Sequence, residues 1–238
     1  MLAPPPGWGN DELSKYLQKL HEHHYARFVD SQGWFGKLSE INDLFFKIAH
    51  NIIHPDNLVT ATLFFRSHSA FLTACGCATA GQIVESMVLN RACLENAAYG
   101  LHIFAQPGLN FIWLNRNQTE SDLKEMKKEF TNGKLRKTIE KYDRGLVQVY
   151  DHLYERSIDF GGHPNQRGVV GSMRVTHDQD KALVTNVYLQ GEGLSLYHTL
   201  KTSAQTGICA LRLLQFTMQP KFELLGVRAG IEQAQQGL

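Results

Sequence analysis

Apolar residues recur every three or four positions along most of the chain, so helices are the expected elements. Leu13, Leu17, Leu20, His24 and Phe28 share one helical face, with Asn10 placed to cap it, Asp11 and Glu12 in the first turn, and an end near Gly33. A second helix is expected from about Gly36 to Ile53 on Leu38, Ile41, Phe45 and Ile48, stopped by His54-Pro55. Asp56 is the expected cap of the third. From Leu58 to Phe104 the pattern predicts two long helices or one that bends, with Cys75-Gly76-Cys77 and Ala80-Gly81 as the weak points.

After Pro107-Gly108, a charged helix is expected over Thr119 to Phe130, with a break at Asn132-Gly133. A further helix runs from Lys134 to about Phe160, with Leu135, Ile139, Tyr142, Leu146, Val149 and Leu153 inward, and Gly161-Gly162-His163-Pro164-Asn165 ends it. The period then changes. Met173, Val175 and His177 alternate with Arg174 and Thr176, and Leu183 to Leu189 alternate likewise, which reads as a β-hairpin. Such a hairpin is marginal alone and is expected to pack on the helices or on another chain. Helical spacing returns from Leu194, and a last helix is read from Lys221 to about Gln236. The expected fold is a mainly α-helical bundle with one hairpin, about residues 172–189, inserted before the last two helices. Residues 1–9 read as an extended tail and residues 10–238 as a single helical domain.

Composition supports folding: 43% of the 238 residues are hydrophobic and 20% charged, enough apolar surface for a core and no signature of disorder. A net charge of +1 gives no global field to concentrate nucleic acid or anionic lipid, so such binding must be local. The stretch without Asp, Glu, Lys or Arg from Ser67 to Val84 is interrupted by His68, Ser69, Thr73, Thr79 and Gln82 and reads as core, not a membrane span. The N-terminus lacks the basic start and apolar run of a signal peptide, and no membrane association is expected. Cys75, Cys77, Cys93 and Cys209 are too few and too unevenly spaced for a disulfide framework or zinc ribbon. They read as buried thiols of a reducing compartment, which predicts a cytoplasmic protein.

His21 and His24 share a helical face, and His50 and His54 lie four apart, but neither pair brings a third ligand, so no metal site and no cofactor is expected. An exposed histidine-rich face is the plainer reading; a metal-dependent enzyme using that first helix is the chemical one. The basic residues between Lys124 and Arg144 are interleaved with Glu125, Glu129, Glu140 and Asp143, so a solvated, paired face is favoured over a phosphate-binding stripe.

Two constellations are more specific. Arg91 and Glu95 lie one turn apart in an otherwise apolar helix and must pair with each other or with a neighbouring helix. Arg156, Ser157 and Asp159 precede Gly161-Gly162-His163-Pro164, where the glycines and the proline can fold His163 back toward Arg156. An imidazole beside a guanidinium suits RNA phosphodiester cleavage: the imidazole moves a proton and the guanidinium steadies the phosphorane charge. The structural alternative has His163 capping a helix and Arg156 paired with Glu155, Asp159 or Glu95.

The long helix carrying Phe65-Arg66-Ser67 and Leu89-Asn90-Arg91-Ala92-Cys93-Leu94-Glu95, the charged helices after it, and Ser157 with His163-Pro164-Asn165 resemble a family of all-helical prokaryotic proteins similar to the HEPN superfamily. The likeness covers roughly Leu58 to Asn165. It implies a helical bundle, commonly dimeric, and in many members a metal-independent ribonuclease of toxin, phage-defence or RNA-processing systems. Its catalytic pair is an arginine followed by a histidine. Here that pair is Arg156 and His163, with six residues between them. Ser157 follows the arginine where the family more often has Asn, and other members bind without cleaving. RNA is the implied partner and a homodimer the implied assembly. The rival expectation is a non-enzymatic helical module that binds a small ligand or a protein partner through the hairpin edge or through the Arg91 and Glu95 pair.

Overall fold

The computed structural model describes residues 3–162, 166–178 and 181–238. These hold twelve α-helices, one π-helical turn and a two-stranded antiparallel hairpin, so the expected helical bundle with an inserted hairpin is the observed class.

Helices α1 (Glu12–Asp30) and α2 (Gln32–Ala49) are separated by Ser31 alone. The cap of α1 is Asp11, not Asn10, because the Asp11 carboxylate accepts from the Ser14 amide at 2.9 Å. Likewise α3 (Leu58–Ala80) is capped by Asn57, which accepts from the Thr60 amide at 3.0 Å, and not by Asp56. The weak point before α4 (Ile83–Ala105) is Gly81, in the left-handed region at φ +83°. A Cβ there would lie 2.2 Å from the Gln190 carbonyl oxygen, so the glycine also lets the chain after the hairpin dock on this turn, where the Gln190 amide donates to the Gly81 carbonyl at 2.9 Å.

A short α5 (Leu109–Leu114) precedes α6 (Glu120–Glu129) and α7 (Asn132–Tyr142). The predicted break at Asn132-Gly133 falls one residue earlier: Thr131 caps α7, so both residues lie in its first turn. The single helix expected to Phe160 is divided at Asp143, whose carboxylate accepts from the Gly145 and Leu146 amides and starts α8 (Arg144–Ser157). That helix runs into a π-helical turn, Ile158–Gly162, and α9 (Gln166–Gly171) leads to the hairpin.

In the hairpin, β1 (Met173–Asp178) pairs with β2 (Lys181–Asn186), with Val175 opposite Val184 and Thr176 opposite Leu183. Its apolar side chains are not covered by helices: Val175, Leu183 and Val184 are all more than half exposed. The expected last helix is two, α11 (Gln219–Leu224) and α12 (Val227–Ala234), after the long α10 (Leu194–Gln215).

The core is built where α3, α4 and α10 meet, with α2, α7, α8 and α12 packed around them. Phe45, Phe64, Phe71, Leu94, Tyr150 and Leu211 are fully buried there. A smaller cluster of Val59, Leu63, Ile103, Leu109, Met126 and Phe130 fixes α5 and α6 to the ends of α3 and α4. Cys93 and Cys209 are buried and Cys75 and Cys77 half-buried, all as free thiols. Burial pushes the Cys93 thiol up to about 12 and raises Cys209 as well, so neither is a nucleophile at neutral pH. No helix among the described residues is long and apolar enough to cross a membrane.

Candidate functional site

Two arginines on adjacent helices meet different fates. Arg91 on α4 donates through Nε to Glu95 at 2.8 Å and through Nη2 to the Tyr154 hydroxyl of α8 at 3.1 Å, and that hydroxyl donates to the same carboxylate at 3.1 Å. The guanidinium also lies over the Tyr154 ring, 5.1 Å from its centre. Burial works against the Arg91 charge, but the hydrogen bond and charge of Glu95 outweigh it and raise its pKa. Arg91 and Glu95 therefore pair with each other and with a neighbouring helix, and the group is closed.

Arg156 on α8 has no such partner. Its Nη1 donates to the Thr202 hydroxyl and to the Gln205 amide oxygen of α10, each at 3.0 Å, and its Nη2 donates to Nε2 of His152. None of the three acceptors is a carboxylate. No carboxylate among the described residues forms an ion pair with it: Asp159 pairs with Arg167, and Glu95 with Arg91. The structural alternative from the sequence, Arg156 paired with Glu155, Asp159 or Glu95, is thus replaced by a cradle of hydroxyl, amide and imidazole. Burial pulls the Arg156 pKa below its ordinary value. A half-buried cation in that state gains from any anion that reaches it.

An anion can reach it. Arg156 lines a cavity of about 320 Å³ between α4, α8 and α10, whose walls include Met87, Phe160, Ser195, His198, Thr199 and Thr202. His198 is exposed, and its ring lies edge-on to that of Tyr197, 5.7 Å between centres. His152 and Gln205 line a second cavity of about 320 Å³. The Arg156 cluster is the wall between the two. A larger cavity of about 440 Å³ beside the hairpin holds Glu85 and neither arginine nor histidine among its lining residues, which suits it poorly to an anion.

Local sequence explains the arrangement. His152 precedes Arg156 by one helical turn, so both leave the same face of α8. Ser195, Thr199, Thr202 and Gln205 recur at helical spacing and give α10 a polar stripe facing that site. Gly161 sets the approach: a Cβ there would lie 2.5 Å from the Val84 carbonyl oxygen and 2.7 Å from Met87 Cβ, so only glycine lets the π-helical turn, and Phe160 with it, sit against α4. Gly161, expected to make a tight turn, is required for close approach.

Of the remaining expected site residues, Ser157 is fully buried and its hydroxyl donates to the Leu153 carbonyl at 2.8 Å, so it is satisfied within its own helix. Asp159 is held by Arg167. His163 lies outside the described residues. The basic segment is partly paired, Lys134 with Glu129 and Arg136 with Asp151. His24 bonds to Thr79 at 2.8 Å, and no group of three or more His, Cys, Asp or Glu among the described residues is placed to hold a metal ion. His152 and His198 were not singled out by the sequence reading. His152 carries a readable signal, one turn from Arg156, whereas His198 depends on the packing of α10 against α8.

Comparison with protein-family models, with curated proteins and with solved structures finds no match for this chain.

Proposed function

We propose that the protein is a HEPN-like, RNA-associated protein that holds a phosphate of an RNA strand on Arg156 and acts as a metal-independent endoribonuclease. The observation that carries this reading is the half-buried Arg156 guanidinium, which has no carboxylate partner among the described residues and lines a cavity. A guanidinium offers two parallel donors that match a phosphodiester, and a site that lacks a carboxylate leaves its charge for the ligand. Cleavage needs an imidazole to take the proton from the 2′-hydroxyl as its oxygen attacks phosphorus, and a proton for the departing 5′-oxygen. The resemblance assigns this work to His163; His198 supplies a second imidazole in the same cavity as Arg156.

The test is incubation of purified protein with mixed single-stranded RNA in the presence of a chelator. The reading predicts fragments, and a loss of at least about 100-fold in rate for both Arg156→Ala and His163→Ala. RNA that stays intact, with Arg156→Ala binding it as well as the wild type, contradicts the reading.

A second reading, docking of a protein partner on the hairpin, is favoured by the exposed Val175, Leu183 and Val184. It predicts salt-insensitive binding that Arg156→Ala leaves unchanged.

A further inference from the structure

A cavity of about 280 Å³ lies where the loop between α2 and α3 meets the first turns of α3, the end of α4 and the start of α11. It shares no lining residue with the Arg156 cavity. It is small for a ligand site, since such cavities usually hold roughly 300–1,000 Å³. Its charges are arranged unusually. Asp56 comes from the loop and Lys221 from α11, and both line the cavity, yet no ion pair joins them to each other or to any other described residue. Opposite charges on one cavity that do not meet complement a molecule that carries both signs.

Thr60 points the same way. It lines the cavity and is buried, and its hydroxyl has no hydrogen-bond partner among the described residues. A helical threonine can bond back to the preceding turn, as Thr73, Thr79 and Thr199 do. Thr60 does not. A buried hydroxyl left unmatched is costly, and a polar group bound in the cavity can supply the missing partner.

The loop itself is held under strain. His54, also on the lining, is the one non-glycine residue at positive φ among the described residues, at +49°. Proline follows it, and a residue before proline is driven toward extended backbone, so the turn is kept against two preferences. Strain of this kind gathers at ligand sites. The remaining walls are largely apolar, with Ile52, Ala61, Phe104 and Met218 among them. The lining therefore offers a cation, an anion and an apolar surface within a space that suits one small molecule.

We propose that this cavity binds a free α-amino acid with an apolar side chain, its carboxylate drawn to Lys221, its ammonium to Asp56 and its side chain to Ile52, Phe104 and Met218. An α-amino acid carries those three arms on one carbon. This does not rest on the reading of Arg156. Isothermal titration calorimetry of the purified chain with L-leucine, L-methionine and L-phenylalanine tests it. Each is compared with its amide, which lacks the carboxylate, and with its desamino acid, which lacks the ammonium. At least one of the three should bind saturably below roughly 10 mM, with its amide and its desamino acid at least about tenfold weaker. Lys221→Met should weaken the amino acid at least about tenfold and leave it no better than its amide; Asp56→Asn should leave it no better than its desamino acid. Neither side chain carries an ion pair, so both variants should melt within about 3 °C of wild type, which separates loss of binding from loss of fold. The proposal is overturned if none of the three binds, if the amides bind as well as the amino acids, or if Lys221→Met leaves the preference intact.

Discussion

Arg91 and Arg156 sit on helices that touch, both partly buried, yet the first is spent and the second is not. Arg91 has a carboxylate, a phenol and an aromatic face within one closed group. Arg156 has a hydroxyl, an amide and an imidazole, none of which cancels its charge. The difference teaches that the two arginines answer different needs: a closed ion pair fixes the geometry of α4 on α8, whereas the guanidinium beside a cavity keeps a charge that no described carboxylate cancels. The two histidines His68 and His198 repeat the contrast. His68 is buried, stacked on Phe45 and bonded to Asn42 at 2.9 Å, while the exposed His198 lines the Arg156 cavity.

The comparison breaks most visibly at Gly161. Gly161→Ala forces a methyl into the Val84 carbonyl and Met87, so the π-helical turn must move off α4. A loss of about 1–3 kcal/mol in stability is expected by denaturant unfolding, together with weakened RNA binding, because Met87 and Phe160 line the cavity. The Arg91 group does not include the turn and should survive the change.

Next in size is Arg91→Ala, the mirror of the Arg156 substitution. It leaves Glu95 without its cation and is expected to cost about 1–2 kcal/mol in stability while RNA affinity stays within twofold of wild type. Equal losses of RNA binding from Arg91→Ala and Arg156→Ala, both measured by filter binding, would erase the distinction between the closed and open arginines.

The remaining effect concerns pH, and per pH unit it is the most gradual. Burial pulls the His68 pKa down to about 4 from an ordinary 6.5, so the folded chain holds this ring neutral where the unfolded chain protonates it. The stability from neutral His68 is present in full above 6.5 and falls away as pH drops toward the folded value of about 4. His68→Phe should flatten the dependence of stability on pH in that window, by at most about 1.4 kcal/mol per pH unit, the limit for one proton. Urea titrations at stepped pH check this; an unchanged slope argues against a buried neutral ring.

The long helices are legible in the sequence because their apolar periodicity is strong, and the hairpin because its period changes abruptly at Met173. The short breaks are harder to read. Asp143 divides a continuous apolar pattern, and its second role, accepting from Arg212 at 2.9 Å, comes from 69 residues away. The site divides in the same way. Arg91 with Glu95, and Arg156 as a candidate, follow from local spacing, but what makes Arg156 open is the polar stripe of α10. Thr202 and Gln205 contact it across 46 and 49 residues of chain. Gly161 is readable as glycine and not as a contact, because its reason is the Val84 carbonyl on another helix.

The central claim is that the Arg156 charge is free for a phosphate, and Gln205→Glu tests it most directly. The substitution keeps the size of the side chain but turns the amide oxygen that accepts from Arg156 into a carboxylate. RNA affinity should be followed against salt concentration for both proteins. The account predicts that Gln205→Glu binds at least about tenfold more weakly, with a salt slope shallower by about one, and melts no lower than wild type. Unchanged affinity and slope in the presence of that carboxylate would contradict it.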